Sequence, residues 1–247
     1  MEPQLKPVPI DNSQPSWRQP APPASGATIV TSDQQKNVLR NTYWLLALSM
    51  LPTIAGAWFG TSINFAGLFK TSPIMAPLLM FGAMFGMLFV VSALRNSSWG
   101  VLAIFGFTFV SGVMLAPMLQ YAAQVRNGGQ LVALAGGMTA AVFFVMATIA
   151  TVSKRDFSFL GKFLLVGLVL LIIASIANLF LHIPALSVTV SAIAVLIFSA
   201  YLLYDVNSIV RGGQTNYIMA TLALFLDIYN IFVNILNLLL IFSGQRD

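Results

Sequence analysis

The segment YIMATLALFLDIYNIFVNILNLLLIF, residues 217–242, decides the fold class of this chain. Its 26 residues include one charged side chain, Asp227. A helix rises about 1.5 Å per residue, so this stretch would extend about 39 Å, more than the roughly 30 Å of hydrocarbon in a bilayer. The segment therefore predicts a membrane-spanning helix with an acidic residue inside it.

Six similar apolar runs precede this one. The seven predicted spans are 43–62, 74–94, 99–120, 131–152, 163–181, 185–206 and 217–242. The breaks at Arg95–Ser98 and His182–Pro184 are short, but each divides about 40 residues, too many for a single span. With 58% hydrophobic and 8% charged residues, the chain is predicted to be all-α, an integral membrane bundle of seven transmembrane helices.

Residues 1–36 differ in composition from the rest of the chain. They hold most of the prolines, together with Gln and Ser, and have little apolar content. We therefore predict a disordered, Pro-rich cytoplasmic tail at 1–36 and a seven-helix transmembrane domain at 37–247. The tail lacks the apolar run and cleavage site of a secretory signal, so the first spanning helix is expected to direct insertion.

The basic residues near the span ends predict the orientation. Seven are expected on one side of the membrane: Lys36, Arg40, Arg95, Lys154, Arg155, Lys162 and Arg211. Three are expected on the other: Lys70, Arg126 and Arg246. Cytoplasmic loops carry the excess of Lys and Arg, so the N-terminus is predicted in the cytoplasm and, after seven spans, the C-terminus outside. These residues form no basic stripe with interleaved aromatics, so no nucleic-acid partner is expected.

Two acidic residues fall within or beside the apolar spans, Asp205 and Asp227. An ionised side chain is costly in hydrocarbon unless it is paired or hydrated, so these are the functional candidates. Counting from the ends of the connecting loop, Asp205 lies roughly 9 Å and Asp227 roughly 16 Å from the cytoplasmic helix ends. The two carboxylates are expected to meet across an antiparallel helical hairpin.

Polar side chains extend this site along both helices. In the last span, Asn230, Asn234 and Asn237 share an arc of about 80° with Asp227, and this polar stripe should face protein or water. In the preceding span, Tyr201, Tyr204 and Ser208 share an arc of about 100° with Asp205. The alternative is structural: Asp205 is hydrated at the interface, and the Asn residues hold helices together through hydrogen bonds.

Two carboxylates in a low dielectric cannot easily both ionise, so one proton tends to be shared between them. Such a pair can sense pH, or it can bind a hard cation such as calcium with the help of amide and carbonyl oxygens. Paired aspartates also suit an intramembrane aspartyl protease. Asp227 follows Leu224-Phe225-Leu226 rather than a Gly-rich approach, so that reading is weaker, and no enzyme activity is expected.

Other features have simpler explanations. Arg95 and Arg211 are interpreted as cytoplasmic boundary charges, either of which could instead fold in to pair with an aspartate. His182, beside Pro184 in a short outer turn, is expected at the surface. Gly82 and Gly86 have a GxxxG spacing that allows close helix approach in membranes.

The last two spans carry specific motifs. They read Tyr204-Asp205-Val206-Asn207, then Asn216-Tyr217-Ile218-Met219-Ala220-Thr221, then Leu226-Asp227-Ile228-Tyr229-Asn230-Ile231-Phe232. Together with Phe109-Val110-Ser111-Gly112 and the segment from Lys154 to Leu160, they closely resemble the Bax inhibitor-1 (TMBIM/LFG) family, especially its bacterial YetJ-like and YccA-like members. The resemblance extends from about Val38 to Phe242.

The resemblance implies a seven-helix fold with a central last helix and a pH-sensitive calcium leak governed by aspartates that match Asp205 and Asp227. It also implies a latch on the first aspartate, for which Arg95 is the nearest match, displaced by about one position. An acidic residue found in the second helix of some relatives is missing, since Leu78 to Leu94 contains no Asp or Glu. YccA-like members imply a different role, restraint of a membrane-bound quality-control protease through the N-terminal tail.

Our leading hypothesis is therefore a pH-sensitive, calcium-permeable leak channel or transporter in the bacterial inner membrane. Its expected partners are the lipid bilayer, calcium and protons, with calcium as the transported or bound species and no other cofactor. The alternative is a membrane interaction protein that modulates a membrane-bound quality-control protease or a cell-survival pathway.

Overall fold

The computed structural model describes residues 32–72, 75–153 and 155–244, which form eight helices and no strand. The helices are α1 Ser32–Thr61, α2 Phe65–Thr71, α3 Met75–Leu94, α4 Trp99–Gln124, α5 Gly128–Val152, α6 Leu160–Leu181, α7 Pro184–Val210 and α8 Tyr217–Gly244. All except α2 are long and apolar enough to cross a membrane. The prediction of an all-α bundle of seven transmembrane helices is confirmed, and the chain is an integral membrane protein.

The first helix begins earlier than predicted. The predicted tail at 1–36 lies outside the described residues except for 32–36, which are the first residues of α1. Asp33 in the first turn complements the positive end of the helix dipole and lies 3.9 Å from Lys36, so polar residues continue the helix beyond the apolar run. Lys154 and Arg246, which contributed to the predicted orientation, also lie outside the described residues.

Both short breaks are turns between separate helices. The first ends α3 at Leu94, whose carbonyl accepts the Ser97 N–H. At the second, His182 adopts a left-handed conformation (φ 51°) that ends α6, and Pro184 then starts α7. His182 is exposed, as predicted. The seven-residue α2, which hydropathy does not reveal, is capped by the Asn64 side chain.

The last helix packs against most of the bundle. Within the described residues α8 contacts α1, α3, α4, α5 and α7. Its buried side chains include Leu224, Ile231 and Leu236, and the Phe225 ring meets Phe107 of α4 edge to face at 5.8 Å. Apolar residues occur on nearly all sides of this helix because each side meets either another helix or lipid.

Among the described helices, α1 and α4 make the most extensive contact, and glycines at their interface let the two backbones come close together. A Cβ atom added to Gly112 would meet the Thr53 carbonyl oxygen and would lie 2.8 Å from the Ala57 nitrogen. A Cβ atom added to Gly60 would lie 2.6 Å from the Ala116 side chain. Small residues spaced four apart let two backbones come into contact in this way.

The glycine pair singled out from the sequence does not do this. A Cβ atom on Gly82 or Gly86 would have nothing within 4 Å, because both lie on the outer surface of α3. That surface is apolar and exposed, with Phe81, Phe85 and Phe89 pointing away from the bundle. The GxxxG spacing on α3 therefore faces lipid in the isolated chain.

Candidate functional site

The hairpin between α7 and α8 builds the site. The chain turns at Gly212, whose φ of 77° favours glycine, and the Gly213 N–H closes the end of α7 by donating to the Ser208 carbonyl at 2.8 Å. Asn216 then starts α8, because its side-chain oxygen accepts the N–H groups of Ile218 and Met219 at 3.0 and 3.1 Å. These two ends set α7 and α8 antiparallel with Asp205 and Asp227 facing each other.

The side chains of Asp205 and Asp227 are hydrogen bonded to each other. Two ionised carboxylates have no proton to donate, so this contact requires one of them to be protonated. Asp227 is 4% exposed, and its second oxygen, Oδ2, is buried without a partner. The site therefore places two carboxyl groups where they can share one proton, and leaves Asp227 Oδ2 as a further acceptor oxygen in a low-dielectric environment.

No other strongly ionisable group completes a metal cage here. In residues 32–72, 75–153 and 155–244, no group of three or more His, Asp or Glu side chains is placed to hold a metal ion. Calcium takes about six to eight oxygen ligands, so the aspartate pair by itself could only hold it transiently. The arrangement suits exchange of a proton or passage of a cation better than a resident metal ion.

The predicted polar stripe on α8 is split between two roles. The Asn230 and Asn234 side chains donate back to their own helix, to the carbonyls of Leu226 and Asn230, each at 2.8 Å. Asn237 instead donates across to the Ser191 hydroxyl of α7 at 2.8 Å. The first two amides keep their side-chain oxygens free as acceptors, whereas Asn237 joins the two helices.

On α7 the predicted polar residues have separate surroundings. The Tyr201 ring lies 6.2 Å from that of Phe198 on the same helix. The Tyr204 ring and hydroxyl pack against Gly161 near the start of α6. All three of Tyr201, Tyr204 and Ser208 are partly buried, and the side-chain bonds described between α7 and α8 are those of the aspartate pair and of Asn237 with Ser191.

The structure does not bring the predicted latch to the pair. Arg95 is exposed in the turn between α3 and α4, and no ion pair within the described residues joins it to Asp205. Its carbonyl accepts the Asn216 side-chain N–H at 2.9 Å. The contact between this turn and the start of α8 therefore runs through the Arg95 carbonyl and the Asn96 side chain, whose Oδ1 accepts the Asn216 amide at 2.9 Å, and does not involve the Arg95 guanidinium.

Two asparagines at the same end of the hairpin carry structural contacts that the sequence analysis did not assign. Asn207 is 2% exposed; its Oδ1 accepts the Phe157 N–H at 3.1 Å, and its Nδ2 donates to the carbonyls of Ala150 and Arg155. Asn216 binds the α3–α4 turn as described above. The available signals were the place of Asn207 two residues after Asp205 and the place of Asn216 at the start of the last apolar run.

The loop held by Asn207 contains its own carboxylate. Asp156 accepts hydrogen bonds from the Ser158 hydroxyl at 2.6 Å and from the Ser158 N–H at 2.8 Å. These bonds, aided by the charge of Arg211, hold the pKa of Asp156 below its usual value. Asp156 is therefore an ionised surface residue, in contrast to the buried Asp205–Asp227 pair inside the bundle.

A family model described as Inhibitor of apoptosis-promoting Bax1 matches residues 35–244. The chain belongs to the Bax inhibitor-1 family. The match covers all seven spanning helices and both aspartates, and it begins just inside α1.

Several Bax inhibitor-1 relatives match most of the chain. An uncharacterized protein of Neisseria meningitidis serogroup A is 41% identical over 214 residues, which are 85% of this chain and 93% of the relative. An uncharacterized membrane protein of Vibrio cholerae is 35% identical over 212 residues, which are 86% of this chain and 92% of the relative. YccA of Escherichia coli is 36% identical over 202 residues, which are 82% of this chain and 89% of YccA. It is named a modulator of FtsH protease in strain K12 and an inner membrane protein in a second strain.

Proposed function

We propose that this protein is a pH-sensitive, calcium-permeable leak of the bacterial inner membrane in which Asp205 and Asp227 form the gate. The observation that carries the proposal is their buried, mutually hydrogen-bonded contact, with Asp227 Oδ2 left as a free acceptor. In this proposal the N-terminus is cytoplasmic and the C-terminus outside, and the protein has no enzymatic activity.

Protonation controls the pair through electrostatic repulsion. With one shared proton, the two side chains hold α7 and α8 together. When that proton is lost, two unit charges about 4 Å apart repel by about 4 kcal/mol at an effective dielectric constant near 20. The repulsion is relieved if the helices separate or if a cation enters between the carboxylates. Calcium, the cargo, would then meet the free side-chain oxygens of Asn230 and Asn234 farther along α8.

The test is calcium flux into liposomes that hold the purified full-length protein, measured across a pH series. We expect flux to rise with pH in the wild type and the pH dependence to be lost in Asp205→Asn and Asp227→Asn. Asp156→Asn is the matched control, because it removes the same charge from an exposed loop and should leave the profile unchanged. Unaltered flux and pH dependence in the double variant would contradict the proposal.

A second function is supported by the E. coli relative. YccA is named a modulator of FtsH protease, and the family match starts at residue 35, so the Pro-rich tail is additional to the shared domain. We propose that the tail contacts a membrane-bound protease. Because α1 begins at Ser32, deletion of residues 1–31 removes the tail while sparing the helix. If the deletion abolishes protease inhibition and leaves calcium flux intact, the two roles are separate. If inhibition is retained, the tail is not the segment that acts on the protease.

A further inference from the structure

A deep groove opens between α1 and α5 on the lipid-facing side of the bundle. Among the described residues the backbones of these two helices do not come close to each other, and α8 forms the floor between them. The groove encloses about 990 Å³. Its walls include Ile54 and Phe144, which are 65% and 67% exposed, so the groove is open to the hydrocarbon of the membrane.

Apart from the hydroxyls of Tyr43 and Tyr229 and of four threonines, the lining is apolar. No charged residue borders the groove. The hydroxyls of Thr53, Thr139, Thr148 and Thr151 each donate to a carbonyl of their own helix at 2.8, 2.8, 2.6 and 2.8 Å, so they are already satisfied. An apolar cavity of this kind stays dry, and in a bilayer hydrocarbon fills it. Its occupant must therefore be a hydrocarbon chain or an apolar side of another helix.

The groove is long enough for a lipid acyl chain. It follows α1 from Tyr43 to Ala57, about 21 Å along the axis, and α5 from Val132 to Thr151, about 28 Å. One leaflet supplies about 15 Å of hydrocarbon, so an acyl chain fits within this length. The charges at the mouth of the groove favour a lipid over a helix as its occupant.

The end of the groove at Tyr43 lies beside exposed cations. Here the Tyr43 ring meets Phe143 across the groove at 6.1 Å. Viewed down the axis of α1, the side chains of Lys36 and Arg40 project about 20° and 60° from the direction of Tyr43, so all three are on one face of the helix. Arg155 follows Thr151, the last groove residue of α5, by four positions, and both arginines are exposed. At the opposite end the α4–α5 turn contributes Arg126. Basic residues at a groove mouth attract anionic lipid headgroups.

We propose that this groove binds an anionic phospholipid of the surrounding membrane, with an acyl chain along α8 and the headgroup phosphate held by Arg40 and Arg155. The lipid seals the gap between α1 and α5 and covers the apolar face of α8 formed by Phe225, Ile228 and Phe232. The binding site is on the opposite side of α8 from Asp227, so the proposal does not depend on calcium transport.

The test uses full-length protein in phosphatidylcholine nanodiscs with trace phosphatidylglycerol that carries a photoactivatable group in its acyl chain. We expect mass spectrometry to find labelled peptides from the groove walls, and a matched phosphatidylcholine probe to label them far less. Arg40→Gln and Arg155→Gln should each lower the preference for phosphatidylglycerol about fivefold, and Arg126→Gln should not. Equal labelling by both probes, or labelling spread over α3 and α6, would overturn the proposal.

A groove-filling variant gives an independent readout. Ala140→Trp places a large ring in the groove and should abolish labelling, whereas Ala141→Trp points the same ring outward from the next position and should retain it. If Ala140→Trp fails to fold, the exposed arginine variants still decide the question. Labelling of purified protein but not of protein in native membranes would assign the groove to a partner's helix and overturn the proposal.

Discussion

Replacement of Gly112 by Ala should loosen the tightest helix contact in the protein. The new Cβ atom would lie 2.8 Å from the Ala57 nitrogen and still closer to the Thr53 carbonyl, both of them backbone atoms that cannot rotate away. To restore an ordinary contact of 3.4 Å, α1 and α4 must separate by at least about 0.6 Å. A gap of that size forfeits a quarter to a half of the dispersion energy of the contacts it opens.

The expected cost follows from two opposing effects. Overpacking of a tight contact costs about 3 kcal/mol at the upper end of its usual range, and the better helix propensity of Ala returns about 1 kcal/mol. We therefore expect Gly112→Ala to lower the free energy of unfolding by about 2 kcal/mol. Gly86→Ala, at a glycine with nothing within 4 Å, should raise it by up to about 1 kcal/mol.

Unfolding in mixed micelles of dodecyl maltoside and SDS, followed by circular dichroism, compares the two variants. The same chemical change should shift the midpoint in opposite directions. Equal stability of the two variants would refute the conclusion that α1 and α4 meet backbone to backbone.

Two further predictions concern the α5–α6 loop. Asn207→Leu leaves the Phe157 N–H and two carbonyls without hydrogen-bond partners. Each of these groups that stays buried destabilises the folded loop by about 1 to 3 kcal/mol. Trypsin should therefore cleave the variant at the basic residues of this loop much faster than it cleaves the wild type. An unchanged cleavage rate would show that other contacts hold the loop. Ser158→Ala removes the hydroxyl bond that lowers the pKa of Asp156, so this pKa should rise toward its ordinary value in an NMR titration. A carboxylate whose pKa is lowered by folding stabilises the folded protein at pH values above its unfolded-state pKa, and this stabilisation is lost as the pH falls through the folded-state pKa. The variant should therefore be less stable than the wild type at neutral pH and should differ little from it in strong acid.

The seven spans could be predicted because each bilayer crossing requires a long apolar run, which hydropathy detects directly. The start of α1 could not, because residues 32–36 are polar and their helix is continued by backbone bonds and the charge of Asp33 rather than by burial. The short α2 was missed for a similar reason: seven residues depend on a single Asn64 cap.

Helical periodicity groups the polar residues of α7 and of α8 on one arc each, but it does not report which neighbour each side chain meets. Asn234 and Asn237 lie on one arc, yet the first bonds to its own helix and the second to α7. The same limit applies to glycines: the spacing at Gly82 and Gly86 resembles that of Gly56 and Gly60, and only the second pair has a helix against it. Partner choice depends on the tertiary arrangement, which spacing alone does not contain.

The contacts of α8 bear on how the protein is made. This helix touches five others, yet it is synthesised after all of them. Until it is inserted, α1, α4, α5 and α7 surround a space that only lipid can fill, and the surfaces that will meet Leu224 and Ile231 stay uncovered. We therefore expect the bundle to complete its packing only when α8 inserts, and a chain truncated before Tyr217 to leave these surfaces exposed to lipid.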